Sequence, residues 1–166
     1  QYRVVVVAVS EGGGAGGGGG LTFYWATGYP FNSVSTRTED SVGIKFLALA
    51  DISMTGARCK SDWGAGITYR LRYWAADGKT ILSEADVVGD GETATFKEFT
   101  LATPLALSAL TEYYITLERV DDGNIKKYYG VGSDHAFLRR TASFSGTPSS
   151  QNSATNLYGI MPKGEV

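Results

Sequence analysis

Apolar residues in this chain recur at every second position and almost nowhere at every third or fourth. In Thr68–Trp74, Tyr69, Leu71 and Tyr73 share one side while Arg70, Arg72 and Trp74 share the other, the alternation of a strand with one buried face. Val42-Gly43-Ile44-Lys45-Phe46, Ile52 to Cys59, and Glu112 to Glu118 alternate in the same way. Between such runs stand turn signals: Ala76-Asp77-Gly78-Lys79, Gly89-Asp90-Gly91-Glu92 and Asp121-Asp122-Gly123-Asn124, residue types that tolerate tight turns and left-handed backbone. No stretch longer than a turn or two carries a helical apolar period, so the chain is predicted to be all-β. Short strands divided by Gly and Asp turns point to an antiparallel β-sandwich, jelly-roll-like in form. Ile125 to Val131 is the expected hairpin partner of Glu112 to Glu118.

Two segments stand apart from this pattern. Val4-Val5-Val6-Val7-Ala8-Val9 is continuous and β-branched, the mark of a strand buried on both faces. Eight glycines then occupy Gly12 to Gly20, interrupted only by Ala15, before Leu21-Thr22-Phe23-Tyr24-Trp25. A flexible linker would need a domain on each side, and a lone Val-rich strand would not stay soluble. The run is therefore expected to be a loop joining Val4–Val9 to a strand at Leu21–Ala26. Ordering it would cost roughly 1–2 kcal/mol per residue, which packing against identical neighbours would offset. From Thr141 to Asn156 the chain is rich in Ser, Thr and Asn. The predicted organisation is 1–28 for the apolar strand, Gly-rich loop and second strand, 29–140 for the sandwich core, and 141–166 for an extended C-terminal arm.

The 166 residues suffice for one core without staples. Fifteen basic and 17 acidic residues, well mixed, give a net charge of −2, which leaves no electrostatic footprint for nucleic acid or an anionic membrane. The longest apolar run is far short of the roughly 20 residues of a spanning helix, and Gln1-Tyr2-Arg3 before it makes a poor signal peptide. With Gln1 where a methionine would stand, a preceding segment is expected either to have been removed or to lie outside this sequence. The single cysteine, Cys59, is expected to be a half-buried, inert thiol.

From Val42 to Tyr129 the chain resembles a family of jelly-roll β-sandwich modules of unknown function. They occur as accessory domains of secreted bacterial proteins and in phage structural proteins. The resemblance rests on Val42-Gly43-Ile44-Lys45-Phe46, on Tyr69-Arg70-Leu71-Arg72-Tyr73-Trp74 with its turn Ala75-Ala76-Asp77-Gly78, and on Phe99 to Leu107 followed by Thr111 to Leu117. It covers about half of the 166 residues. The Gly-rich front and Ser/Thr/Asn tail, which the isolated module lacks, are similar to the loops and arms of phage virion proteins. The resemblance implies a surface protein of a virion, such as a capsid decoration, head fibre or tail adhesin module.

Candidate catalytic groups are few. His135 is the only histidine, and Ser133-Asp134-His135 stand too close along the chain for triad geometry. No His/Cys metal spacing exists, and Gly12–Gly20 lacks the Lys-Ser/Thr of a phosphate loop. Asp86, Asp90, Glu92, Asp121 and Asp122 are the candidate paired carboxylates, each beside a glycine or in a turn. Asp90-Gly91-Glu92 and Asp121-Asp122-Gly123-Asn124 would offer clustered oxygens to a structural calcium but lack regular ligand spacing; no cofactor is expected, and no enzyme. Aromatic faces are the remaining lead. Trp63, Trp74, Tyr128 and Tyr129, with Tyr24 and Trp25, would suit stacking against a sugar ring. Trp63, in a loop, reads as the most exposed; Trp74, out of phase with Tyr69, Leu71 and Tyr73, points away from the core. Core or interface packing is the competing reading for each.

The sequence thus points to a non-enzymatic virion surface protein whose partners are identical subunits and other virion proteins. Val4, Val5, Val6, Val7 and Val9 are the expected subunit contacts, and a cell-surface glycan is a further partner. The alternative is an extracellular carbohydrate-binding module that uses exposed aromatics.

Overall fold

In the computed structural model, described for residues 22–25, 33–131, 135–148, 156–157 and 159–166, every regular element is a strand. They are β1 (Thr22–Tyr24), β2 (Ser33–Glu39), β3 (Ser41–Ala48), β4 (Ile52–Ser61), β5 (Thr68–Trp74), β6 (Ile81–Val88), β7 (Thr95–Leu107), β8 (Glu112–Arg119), β9 (Ile125–Val131), β10 (Leu138–Ser145), β11 (Asn156–Leu157) and β12 (Ile160–Glu165). The strands form a four-stranded sheet β1-β12-β4-β7, a five-stranded sheet β10-β3-β8-β5-β6 and a three-stranded sheet β11-β9-β2. All described pairings are antiparallel.

The order identifies the architecture. Setting aside β2, β9, β10 and β11, and counting the other eight strands from one to eight, the two sheets run 1-8-3-6 and 2-7-4-5. That is the strand order of a jelly roll, in which successive hairpins straddle the two sheets. The core lies between them. Phe46, Ile44, Leu71, Tyr73, Ile115 and Leu117 face inward from the five-stranded sheet, and Met54, Ala57, Cys59, Phe99 and Ile160 from the four-stranded one. β5 shows the alternation read from its sequence, with Tyr69, Leu71 and Tyr73 buried and Arg70, Arg72 and Trp74 half-buried.

The five-stranded sheet is apolar on part of its second face as well. Phe144 of β10, fully buried, lies over Gly43 of β3, so that a Cβ at residue 43 would collide with its ring. Tyr114 meets Phe144 edge-on with centroids 5.7 Å apart. Pro148, buried, rests against Gly78 in the β5–β6 turn.

Two expectations change here. Ile125–Val131 is not the hairpin partner of β8: β3 and β5 already occupy both edges of β8, and β9 pairs with β2 and β11. Within the predicted arm 141–166, residues 141–145 complete β10, and Ile160–Glu165 is an interior strand between β1 and β4. Thr22–Tyr24 pairs along one edge with β12, from the far end of the chain. Val4–Val9 and the Gly12–Gly20 run lie outside the described residues.

Candidate functional site

Trp63 is buried, 1% exposed, contrary to its loop position. The β4–β5 loop is tied to the β6–β7 turn by backbone bonds: Trp63 N donates to Glu92 O at 2.7 Å, Gly91 N to Trp63 O at 2.7 Å, and Gly89 N to Ile67 O at 2.8 Å. The two loops close one end of the sandwich with the indole beneath them. Its Nε1 donates to Thr95 O at 2.9 Å, and its ring meets Tyr69 edge-on at 4.8 Å. Such a ring cannot stack on a ligand. Trp25 is buried too, and its amide donates to Pro162 O at 2.8 Å.

Trp74 sits on the outward face of β5, half-buried. Its Nε1 donates to Thr116 Oγ1 at 2.8 Å, and the Arg72 guanidinium lies 5.7 Å over its ring. Beside it runs a ladder of ion pairs. Arg70 holds Asp86 through two 2.7 Å bonds, and Arg72 joins Glu84 at 3.1 Å and also Glu118. The Arg70 fork holds the Asp86 carboxyl below its ordinary range. These partners are cross-strand neighbours in the β5–β6 and β5–β8 registers.

Tyr128 is 7% exposed and its hydroxyl donates to Asp62 Oδ1 at 2.7 Å. Burial, with Asp62 second, pushes the phenol up to about 12. Asp62 also accepts from Ala94 N at 2.9 Å and pairs with Lys126 at 3.3 Å; these bonds outweigh its desolvation and lower its pKa. Tyr129 is half-buried against the core. Of the four sequence-predicted contact residues, then, two are buried and two are half-buried.

His135, Asp90 and Asp121 are engaged structurally. His135 stacks on Phe23, centroids 4.9 Å apart, and accepts from Phe137 N at 3.3 Å; burial lowers its pKa. Asp90 pairs with Lys97 and accepts from Glu92 N, and Asp121 pairs with Arg119 at 2.6 Å. Among the described residues no three His, Cys, Asp or Glu side chains gather as a metal site would require. Cys59 is fully buried rather than half-buried, and burial raises its pKa far above the ordinary thiol range.

The arrangement that sequence reading missed lies on the outer face of the four-stranded sheet. Tyr24 from β1 donates to Glu98 Oε1 of β7 at 2.9 Å, and Lys163 from β12 reaches the same oxygen at 2.6 Å. Both cross β4 near Gly56, which has no side chain to obstruct them. Lys163 also lies 5.2 Å over the Tyr24 ring. Farther along, the Arg58 guanidinium is 4.8 Å over Phe96, and Lys60 is 5.6 Å from Phe96 and 5.4 Å from Tyr128. Cations and aromatic rings thus run along this face from Tyr24 to Lys60, and Tyr128 and Lys126 beside them come from β9 of the three-stranded sheet. The only sequence signal was the outward phase of Arg58 and Lys60 on β4.

No protein-family model matches the chain, and no curated protein matches it either.

Proposed function

We propose that the chain is a non-enzymatic surface protein of a phage virion, a decoration, fibre or adhesin module, that acts through contacts of its sheets with identical subunits. The observation that carries the reading is the end strand β6. Among the described strands it closes the order of the five-stranded sheet and exposes Ile81 at 44%, Leu82 at 38% and Val88 at 59%. An end strand with exposed apolar side chains is a liability for a monomer and a ready contact for an assembly. The resemblance of residues 42–129 to phage and secreted modules supports the virion setting. The engagement of His135, Asp86, Asp90 and Asp121 in structural pairs supports action without catalysis.

The test has two parts. Light scattering should give a multimer for the full chain and a lower mass for the double variant Leu82→Lys, Val88→Lys. Mass spectrometry of particles purified from cells that make the protein should find its peptides in the particle. A monomer at every concentration, or peptides confined to the particle-free fraction, would sink the reading.

A carbohydrate-binding module is the second reading. The solvent-facing aromatic and cationic face of the four-stranded sheet favours it, whereas Trp63 does not.

A further inference from the structure

We propose that Asp122, in the turn between β8 and β9, is a site of spontaneous isoaspartate formation with Gly123. Asp–Gly pairs are prone to this chemistry because glycine has no side chain to shield its amide nitrogen from the preceding carboxyl. The Gly123 nitrogen attacks Cγ of the protonated Asp122 side chain. A C–N bond forms, the C–OH bond breaks, and the amide hydrogen and the hydroxyl leave as water. Water then adds to the five-membered succinimide at either carbonyl. Opening at the original backbone carbonyl leaves the main chain running through Cβ and Cγ of residue 122, one methylene longer. The two steps need water and no other reactant.

The fold sets this pair apart from two others like it. The chain holds three Asp–Gly pairs, at 77–78, 90–91 and 122–123, and all three aspartates are exposed. Attack needs a free carboxyl and a free glycine amide. Asp77 offers neither: its carboxylate accepts from Lys79 N, Thr80 N and Thr80 Oγ1, and Gly78 N donates to Ala75 O at 3.0 Å. Those bonds, the Thr80 hydroxyl first, hold the Asp77 carboxyl down at about 2, so its protonated form is scarce. Asp90 accepts from Lys97 and from Glu92 N, and Gly91 N donates to Trp63 O at 2.7 Å. The Asp122 carboxyl, by contrast, has no hydrogen bond or ion pair among the described residues. Gly123 N donates to an exposed side chain, Asp121 Oδ1, at 3.2 Å, an acceptor able to take the amide proton as the nitrogen attacks. The turn also has room for the longer product, since Asp122 and Asn124 are exposed. At Gly91 the same extension would break the backbone bonds that close the loops over Trp63.

This chemistry is independent of assembly through β6. The experiment incubates the full chain in oxygen-18 water at neutral pH and physiological temperature, native and in urea, followed by digestion in ordinary water and peptide mass spectrometry. Each passage through the succinimide fixes one heavy oxygen in the aspartyl or isoaspartyl product. In the native chain Asp122 should gain label roughly tenfold faster than Asp77 and Asp90, the factor set by giving up one charge-assisted hydrogen bond. An isoaspartyl methyltransferase should then methylate the peptide that carries residue 122. In urea the three sites should label at similar rates. Asp122→Glu keeps the charge but would need a six-membered ring, and should abolish the label at 122 with the melting temperature unchanged. An unlabelled Asp122 in the native chain, equal label at Asp77 or Asp90, a native ratio unchanged in urea, or label persisting at residue 122 in that variant would each overturn the proposal.

Discussion

Trp63 offers the sharpest division between a binding side chain and a structural one. Truncation to alanine removes an indole that is 1% exposed and packed on Tyr69 and Phe99. It also strips Thr95 O of its 2.9 Å donor, next to Thr95 Oγ1, which is buried with no partner among the described residues. Loss of a buried aromatic side chain costs about 3–5 kcal/mol when the surroundings cannot collapse. Collapse is restricted here because four backbone bonds hold the overlying loops in place. For a chain of this size each kcal/mol lowers the melting temperature by roughly 2–4 °C, so Trp63→Ala should melt roughly 10–15 °C below the parent in a circular-dichroism scan. Trp63→Phe keeps most of the ring and loses the N–H donor, and should cost about 1–3 kcal/mol, the range for leaving a buried acceptor unmade. The reasoning is refuted if Trp63→Ala melts within about 2 °C of the parent, well under the cost of a buried aromatic.

Three further outcomes follow from other parts of the fold. Gly56→Ala places a Cβ against the carbonyl of Phe99 and should cost more than about 2 kcal/mol by forcing β4 from β7; a denaturant midpoint equal to the parent's would contradict the close approach. Cys59 should stay unreactive to a thiol-exchange reagent until the protein unfolds, since burial keeps it protonated and no solvent reaches it; rapid labelling of the native chain would show that the sandwich opens there. The folded-state pKa of Asp86 lies below its ordinary value because of Arg70, so its contribution is full above the unfolded-state value near pH 4 and is lost as pH falls through the folded one. Asp86→Asn should therefore melt below the parent at pH 7, with the gap closing toward pH 2; an unchanging gap would mean that Arg70 and Asp86 do not stabilise the fold as an ion pair.

Side-chain parity within strands was legible because it follows from pleat geometry alone. The buried Tyr69, Leu71 and Tyr73 and the outward Arg70, Arg72 and Trp74 sit where the alternation puts them. The β5–β6 hairpin followed as well, since its turn chemistry is local: Asp77 Oδ1 accepts from the amides of Lys79 and Thr80 at 2.8 Å each. Partnerships between distant strands were not legible. Nothing near Asp121–Asn124 says that β8 is already flanked by β3 and β5, so a turn there read as a hairpin. Exposure of loops failed for the same reason. Ser61 to Gly66 has the composition of a solvated loop, yet backbone bonds to residues 89–92 leave Trp63 within it buried.

That asymmetry explains why the candidate face eluded a reading that searched for tryptophans. A hairpin ladder such as Arg70–Asp86 joins residues 16 apart in sequence, whereas Tyr24 and Glu98 are 74 apart and Lys163 and Glu98 are 65 apart. The jelly roll creates these meetings by inserting the last strand between the first and the fourth. Each residue read alone is an unremarkable surface position, and only the order β1-β12-β4-β7 makes Lys163 and Tyr24 neighbours of the Arg58–Phe96 pair. In a fold of this kind the large aromatics go to the core, where area burial is most favourable. The chemistry open to a ligand is left to the smaller rings and charged side chains that face outward between them.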